Sequence, residues 1–188
     1  MRWLDHRDPI PAPLRGGIIA LGNFDGFHRG HQAVAGEAIR WAQAEGRPSI
    51  IATFDPHPVR FFKPDVPPFS LTTLEQRQEL YLAAGATAML VFHFDADLAG
   101  TSAEDFIETI LIERLGAHGV VTGGDFTFGK GAKGNVELLR TLGGQLGLES
   151  RVVEAVEKDG VVSSSRIREA LREEIGRASC RERVCHRV

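Results

Sequence analysis

Short apolar runs alternate with amphipathic stretches along most of this chain, and that alternation limits the folds it can adopt. The runs are continuous rather than alternating in polarity, which is typical of strands buried on both faces. The stretches between them carry apolar residues at helical spacing. We therefore predict an α/β fold, a parallel sheet with helices on both faces. The five predicted strands are Gly17–Gly22, Ser49–Phe54, Ala86–Phe94, Gly119–Gly123 and Arg151–Val156.

Three unusual loops follow the first, second and fourth predicted strands, at Gly22–Gly30, Asp55–Pro68 and Gly123–Gly134. Ligands of open parallel sheets bind beyond the carboxyl ends of the strands, so we expect these loops to share one functional edge. The predicted helices are Arg29–Glu45, Thr73–Ala84, a helix capped by Ser102 that includes Leu115, Val136–Leu146 and Ser164–Glu173.

Composition excludes several classes of protein. The 188 residues fit one domain, and 43% hydrophobic residues suffice for a packed core. A net charge of -3 does not indicate a nucleic-acid or membrane partner. Neither a membrane-length apolar run nor a stretch of signal-peptide type occurs in the sequence. Since Cys180 and Cys185 are too few for a disulfide scaffold, we expect a reducing, cytoplasmic location.

The last residues differ in character from the rest. Residues 174–188 carry four arginines and both cysteines, and show neither helical nor strand periodicity. Part of this stretch, Glu174–Val184, resembles the translation of a common DNA-sequencing adapter. We interpret residues 1–173 as one domain and residues 174–188 as a non-native tail.

The loop after the first predicted strand leads through glycines into a helix that begins with two histidines. His28 and His31 are three residues apart, so they share one face of the first turn. A helix N-terminus suits phosphate, and two imidazoles can donate hydrogen bonds to the charge that builds up in phosphoryl transfer. Gly30 lies between them and leaves room for a nucleotide. The alternative, two surface or capping histidines, is less consistent with this pattern.

The other segments are ambiguous when taken singly. Phe54, Phe61 and Phe62 could form an aromatic wall for a planar ring, although at least one of them is expected to pack in the core. The Gly123–Gly134 loop could close over a flat phosphorylated ligand or be a plain hairpin tip; it lacks the ending of a P-loop. The segment Ser163–Arg168 could hold phosphate or simply cap a helix.

Taken together and in order, these segments resemble the FMN adenylyltransferase module of bacterial FAD synthetases. His28-Arg29-Gly30-His31 is similar to the His-x-Gly-His signature of the nucleotidyltransferase superfamily, and Ser163–Arg168 resembles its second signature. The resemblance covers about Leu14–Glu173 and includes the loops Phe54–Pro58 and Asp125–Gly129. It implies a Rossmann-like fold. In that family a riboflavin kinase domain follows the module, so we expect one to be missing here.

The resemblance implies transfer of AMP from ATP to FMN, giving FAD and pyrophosphate, with Mg²⁺ carried on the ATP phosphates and no metal ligand from the protein. ATP and FMN are then the partners, with no nucleic acid and no membrane. It implies a catalytic role for His28 and His31. The implied ATP-binding residues are Gly22, Asn23, Phe24, Asp25, Gly30, Ser163, Ser164, Ser165 and Arg168, and the implied flavin-binding residues are Phe54, Pro56, His57, Phe62, Asp125, Phe126 and Phe128.

Two small departures from the family pattern concern the site. Ser165 stands where threonine is usual, which keeps the hydroxyl. Asp125 stands where some members carry asparagine, and a carboxylate accepts hydrogen bonds but cannot donate them.

Three alternatives remain open at this point. The first is another adenylyl- or cytidylyltransferase of the superfamily, acting on pantetheine phosphate or nicotinamide mononucleotide. The second is a non-catalytic module that binds flavin or nucleotide. The third is a metal-dependent phosphoesterase, whose ligands would be Asp25, His28, His31, Asp55 and His57.

Overall fold

The computed structural model describes residues 2–63, 65, 70–154, 164 and 167–171. A six-stranded sheet forms its centre, with strand order β1-β4-β3-β2-β5-β6 and every adjacent pair parallel. The strands are β1 (Arg2–Asp5), β2 (Ile18–Leu21), β3 (Ser49–Asp55), β4 (Ala88–His93), β5 (Gly119–Gly123) and β6 (Glu149–Val153).

Helices connect the strands and cover both faces of the sheet. They are α1 (Arg29–Ala44), α2 (Pro58–Phe62), α3 (Leu74–Ala83), α4 (Ala96–Gly100), α5 (Ala103–Asp105) and α6 (Val136–Gln145). Helix α5 continues as a π-helical segment over Phe106–Arg114, and residues 167–171 are helical. Local chemistry sets several helix starts. Thr73 and Gln76, for example, form a reciprocal capping box at α3.

Each central strand contributes side chains to two apolar clusters, one on each face of the sheet. In β2, Ile19 and Leu21 belong to the cluster under the π-helical segment and α6. Ile18 and Ala20 belong to the cluster under α1 and α3. This division follows from the two-residue period of a strand, and it explains why the runs are apolar throughout.

Helix α1 crosses β5 at very short range. A Cβ atom at Gly119 would lie 2.2 Å from Cη2 of Trp41, so only glycine lets the indole pack there. Arg151 of β6 then lies over the same ring, with its Cζ atom 4.0 Å from the ring centroid. These contacts fix α1 against the β5 side of the sheet.

The predicted α/β fold with helices on both faces is confirmed, and all five predicted strands are found. Strand β1 was not predicted, because it has only four residues and mixes charged with apolar side chains. Helix α2 lies inside the predicted Asp55–Pro68 loop. The last predicted strand begins two residues earlier, at Glu149, and its final residues lie outside the described ones. Of the predicted Ser164–Glu173 helix, residues 164 and 167–171 are seen as helical.

The strand order reverses beside β2. The chain moves from β2 through β3 to β4 on one side, then crosses to β5 and β6 on the other. The loops after β2 and β5 therefore flank the crevice at which ligands of such sheets bind. Within the described part of the chain, no helix is long and apolar enough to cross a membrane.

Candidate active site

The two predicted histidines meet at the first turn of α1, beside the strand-order reversal. Their ring centroids are 3.6 Å apart and the ring planes are inclined by 23°. The Nδ1 atom of each ring is buried and has no hydrogen-bond partner among the described residues. Two buried, unpartnered ring nitrogens side by side leave hydrogen-bonding capacity for a ligand.

Burial also sets the charge of this pair. It lowers the pKa of His31 to about 3, and the neighbouring His28 adds to the effect. Burial lowers the pKa of His28 as well. Both rings are therefore neutral near pH 7. Each can then donate or accept a hydrogen bond, and neither is a fixed cation.

The loop that carries this pair is held in an unusual backbone conformation. Phe24 and Phe27 have positive φ angles of +46° and +36°, a region that large side chains rarely occupy. Both rings are buried, at 1% and 5% exposed, and both pack against Tyr81 of α3. Phe24 also meets His31 edge-on, with centroids 5.3 Å apart. Core packing thus holds the strained loop under the histidines.

Asp25, in the middle of this loop, is a buried carboxylate that faces the protein. It accepts hydrogen bonds from the backbone N–H groups of Leu71 and Thr72 and from the Thr72 hydroxyl, at 3.0–3.1 Å. It also pairs with two guanidinium groups, those of Arg77 and Arg168. Burial acts to raise the pKa of Asp25, but the Leu71 N–H and the two guanidinium groups outweigh it and hold the pKa below its usual range. Asp25 therefore anchors the loop to the start of α3 and to two arginines.

The second signature reaches the first through Asp25. The Ser164 hydroxyl donates a hydrogen bond to the backbone carbonyl of Asp25 at 2.8 Å, across 139 positions of sequence. The Arg168 guanidinium pairs with Asp25 Oδ2. These contacts bring Ser164 and Arg168 to the loop that precedes the histidines. Ser163 and Ser165 lie outside the described residues.

Three further residues of the predicted nucleotide site are Gly22 and Asn23, in the loop before α1, and Gly30, in its first turn. Asn23 Oδ1 is buried without a partner in the described residues. A Cβ atom at Gly30 would lie 3.2 Å from His28 Cε1, so glycine allows the ring to fold over the helix start. At Gly22 a Cβ atom would lie 3.3 Å from the Phe24 ring. Small residues thus make room for the two aromatic rings of the loop.

The predicted flavin residues divide into core and surface groups. Phe54 is 7% exposed and stacks on Phe92, with centroids 5.1 Å apart, so it packs in the core as expected of at least one phenylalanine. Phe62 is 63% exposed on α2, next to Phe61 and Phe94. Of the predicted flavin-side phenylalanines, Phe62 therefore offers the largest exposed fraction to a planar ligand.

A second aromatic pair lies after β5. The Phe126 and Phe128 rings stack with centroids 5.7 Å apart, and Phe128 is 6% exposed and packs on Phe106. Asp125 is exposed, and its Oδ1 atom lies 3.1 Å from the point where a Gly123 Cβ atom would stand. This places an exposed carboxylate at the end of β5, beside the partly buried Phe126.

Pro56 and His57 lie at the start of α2. Pro56 is exposed, whereas the His57 ring turns back to cap the helix, its Nδ1 accepting from the Val59 N–H at 3.2 Å. Burial, followed by the nearby Arg168 guanidinium, lowers the pKa of His57. His57 is thus neutral near pH 7 and lies close enough to Arg168 and Asp25 to feel their charges.

Sequence reasoning missed the residues beneath the loop. Arg77 is 3% exposed and hydrogen-bonds to Thr53, to Thr72 and to Asp25. Thr53 in turn donates to the Asn23 carbonyl at 2.6 Å. An arginine within a predicted helix gives no sequence signal of its burial, because only the packed fold brings these partners to it.

Among the residues that the structure describes, no three His, Cys, Asp or Glu side chains are grouped so as to hold a metal ion. Asp25, one of the ligands that a metal-dependent phosphoesterase would need, is instead paired with two arginines.

The family model and the curated relatives that match this chain agree with one another. A family model described as FAD synthetase matches residues 10–167. A bifunctional riboflavin kinase/FMN adenylyltransferase of Escherichia coli strain K12 is 33% identical over 165 residues, which make up 85% of this chain and 51% of the relative. A putative bifunctional riboflavin kinase/FMN adenylyltransferase of Geobacillus thermodenitrificans is 35% identical over 160 residues, or 84% of each chain.

A solved structure supports the same fold. A crystal structure described as the macrolide-efflux protein of Streptococcus pneumoniae has a TM-score of 0.77 at 25% sequence identity, covering 90% of this chain and 57% of that one. This chain spans about half the length of the Escherichia coli relative and of another from Pseudomonas fluorescens.

Proposed function

Because this chain belongs to the FAD synthetase family, we propose that it transfers AMP from ATP to FMN, giving FAD and pyrophosphate. The observation that carries the proposal is the junction of the two signatures at Asp25. Ser164 and Arg168 lie against the same loop that presents His28 and His31. Hydroxyl, guanidinium and imidazole groups at one helix start suit a triphosphate.

In the proposed reaction a phosphate oxygen of FMN attacks the α-phosphorus of ATP. The new P–O bond forms as the bond from the α-phosphorus to the bridging oxygen of the β-phosphate breaks, and pyrophosphate leaves with that electron pair. No covalent bond to the protein is needed. The protein's contribution is to position both substrates and to stabilise the charge that develops on the phosphoryl oxygens.

We assign the α-phosphate region to His28 and His31. Their low pKa values keep both rings neutral, so a ring N–H can donate to a developing negative charge. Arg168 and Ser164, together with Ser163 and Ser165, are assigned to the departing pyrophosphate. Gly22, Asn23 and Gly30 shape the space for the nucleotide, and Asn23 Oδ1 offers it a buried acceptor.

The flavin ring is assigned to the aromatic surface at the carboxyl ends of β3 and β5. Phe62 supplies an exposed ring, and Phe126, Asp125, Pro56 and His57 border the same edge. Phe54 and Phe128 support that surface from the core. Mg²⁺ enters as part of the ATP·Mg²⁺ substrate, because this ion prefers phosphate oxygens and water as ligands.

The test is to incubate the purified chain with ATP, Mg²⁺ and FMN and to separate the flavins by chromatography. We expect FAD and pyrophosphate in equal amounts. Pantetheine phosphate and nicotinamide mononucleotide, offered in place of FMN, test the related transferases, and CTP in place of ATP tests the nucleotide. Transfer to another acceptor but not to FMN, or binding of ATP and FMN with no FAD formed, would contradict the proposal.

A further inference from the structure

We propose that Thr53 is a positioning residue, whose hydroxyl group holds Asn23 so that the Asn23 side chain faces the nucleotide. This inference rests on the proposed function, since it concerns the same nucleotide site. Thr53 lies in β3 and is fully buried, so it acts through Asn23 rather than by touching a substrate.

The hydrogen bonds of Thr53 have a defined direction. Its Oγ1 atom accepts from Nη1 of Arg77 at 3.0 Å, and a guanidinium can only donate. The Thr53 proton is therefore directed to the carbonyl oxygen of Asn23, which lies 2.6 Å from Oγ1. The buried Arg77 thus orients the hydroxyl group toward the loop after β2.

Asn23 is tied to β3 on both sides of its Cα atom. On the amino side, the N–H of Gly22 donates to the carbonyl of Ala52 at 3.3 Å. On the carboxyl side, the Thr53 hydroxyl binds the carbonyl of Asn23 itself. Because peptide units are planar and each residue has only two soft backbone angles, these two anchors restrict the direction in which the Asn23 side chain leaves the backbone.

The conformation of the next residue makes the Thr53 contact more important. Phe24 has a φ angle of +46°, which is strained for a residue other than glycine. The peptide that precedes this angle carries the carbonyl held by Thr53, and the Tyr81 hydroxyl donates to the following carbonyl at 3.4 Å. Without the Thr53 contact, the peptide between Asn23 and Phe24 would be free to turn and relieve the strain, and Asn23 would turn with it.

The side chain that Thr53 positions has unused hydrogen-bonding capacity. Asn23 Oδ1 is buried and has no partner among the described residues. A buried carbonyl oxygen is unfavourable unless a ligand or a water molecule donates to it. The proposed function assigns this atom to the nucleotide, so the Thr53 contact should affect the affinity for ATP and not that for FMN.

The experiment is a double-mutant cycle between Thr53→Val and Asn23→Ala, read out as the dissociation constants of ATP·Mg²⁺ and of FMN measured by calorimetry. Valine keeps the branched shape of threonine and lacks its hydroxyl group. We expect Thr53→Val to weaken ATP binding about fivefold and Asn23→Ala about tenfold, the size of one lost hydrogen bond. Once the amide is absent its direction no longer matters, so in the Asn23→Ala background Thr53→Val should change ATP affinity less than about twofold. FMN affinity should change less than about twofold throughout.

Thr53→Ser and Thr122→Val are the matched variants. Serine keeps the hydroxyl group, so it should restore ATP affinity to within about twofold of the wild type. Thr122 is a fully buried threonine of β5 whose hydroxyl has no partner among the described residues, so Thr122→Val should leave ATP affinity unchanged. If Thr53→Val does not fold, Thr53→Cys carries the cycle, because a thiol donates only weakly. Its expected loss of about threefold should disappear in the Asn23→Ala background.

Leu148→Ala tests whether lower stability by itself weakens ATP binding. Leu148 is 1% exposed and lies just before β6, at the amino ends of the strands and so at the sheet edge opposite the loop after β2. Truncation there should lower the melting temperature, as the loss of buried hydrogen bonds in Thr53→Val also should. Only Thr53→Val should weaken the binding of ATP selectively.

Wild-type ATP affinity in Thr53→Val would overturn the inference, and so would equal losses of ATP and FMN affinity. The same holds for equal effects of Thr53→Val in the two backgrounds, for a Thr53→Ser protein as weak as Thr53→Val, and for an Asn23→Ala protein with wild-type ATP affinity. If the unchanged chain forms no FAD but the coupling in ATP affinity is present, the inference stands and the proposed function fails. If FAD is formed and the coupling is absent, the inference fails and the proposed function stands. A chain that does not bind ATP would overturn both.

Discussion

The imidazole rings of His28 and His31 lie stacked at the first turn of α1, with centroids 3.6 Å apart. Two charged rings at this distance would repel each other, and burial already lowers the pKa of each. The stack therefore exists as a neutral pair, whose buried Nδ1 atoms have no hydrogen-bond partner among the described residues. Gly30 makes the arrangement possible, because any side chain there would meet the His28 ring.

Replacing His28 by alanine should abolish most of the turnover and leave FMN binding intact. The loss removes a donor to the developing charge, for which a fall of about 10²–10³-fold in kcat is expected. FAD formation under saturating substrates gives kcat, and fluorescence titration gives the affinity for FMN. His118, which lies between Glu45 and Glu149, provides the control, since His118→Ala should keep wild-type turnover. Unchanged turnover in His28→Ala would remove this residue from the mechanism.

Replacing Gly30 by alanine should lower the activity without lowering the stability. The new Cβ atom would lie 3.2 Å from His28 Cε1 and 3.3 Å from its Nδ1, so the ring must shift by a few tenths of an ångström. We expect kcat to fall about tenfold. The unfolding free energy should stay equal or rise by up to about 1 kcal/mol, because alanine favours the helix. Gly100→Ala, where a Cβ atom meets nothing within 4 Å, is the control. A Gly30→Ala protein with full activity would show that the ring position is not critical.

Stability should decline with acidification below pH 6.5, in part because of His31. Its pKa is about 3 in the folded protein, against 6.5 for a free histidine, so in that window only the unfolded chain takes up the proton. The folded state therefore loses stability as the pH falls, by at most about 1.4 kcal/mol per pH unit for this group. Urea unfolding between pH 6.5 and 5 should show a smaller slope for His31→Gln than for the wild type.

In the same titration Leu146→Ala, at an exposed position without a titrating group, leaves the His31 contribution in place, so the wild-type slope should remain. An identical slope in His31→Gln and the wild type would show that His31 is not held neutral by folding. Carboxylates contribute little above pH 5, because their ordinary pKa values lie near 4.

Truncating Phe62 should weaken FMN binding, whereas truncating Phe54 should destabilise the fold. Phe62 is 63% exposed, so Phe62→Ala should weaken FMN binding about tenfold and change the unfolding free energy by less than about 0.5 kcal/mol. Phe54 is 7% exposed within the core, so Phe54→Ala should cost about 3–5 kcal/mol of stability. FMN titration and chemical denaturation measure the two effects. Leu146→Ala, at a 43% exposed position on the end of α6, is the surface control. Wild-type FMN affinity in Phe62→Ala would place the flavin elsewhere.

Local patterns predicted much of this molecule because they act over short stretches of chain. Continuous apolar runs predicted β2, β3, β4 and β5, since burial on both faces requires them. Helical spacing predicted that His28 and His31 would share one turn. By contrast, β1 escaped prediction because Trp3 is exposed, at 40%, and the strand gains its order from pairing with β4.

By itself, then, the sequence determined the α/β architecture, the loops at one sheet edge and the histidine pair. Only the tertiary structure decided that Asp25 faces inward to two arginines, that Arg77 is buried, and that Phe54 packs in the core while Phe62 is exposed. The physical reason is the separation along the chain over which each kind of interaction acts. Periodicity and helix spacing are properties of neighbouring residues, whereas the contact between Asp25 and Arg168 joins positions 143 apart and exists only once the sheet has assembled.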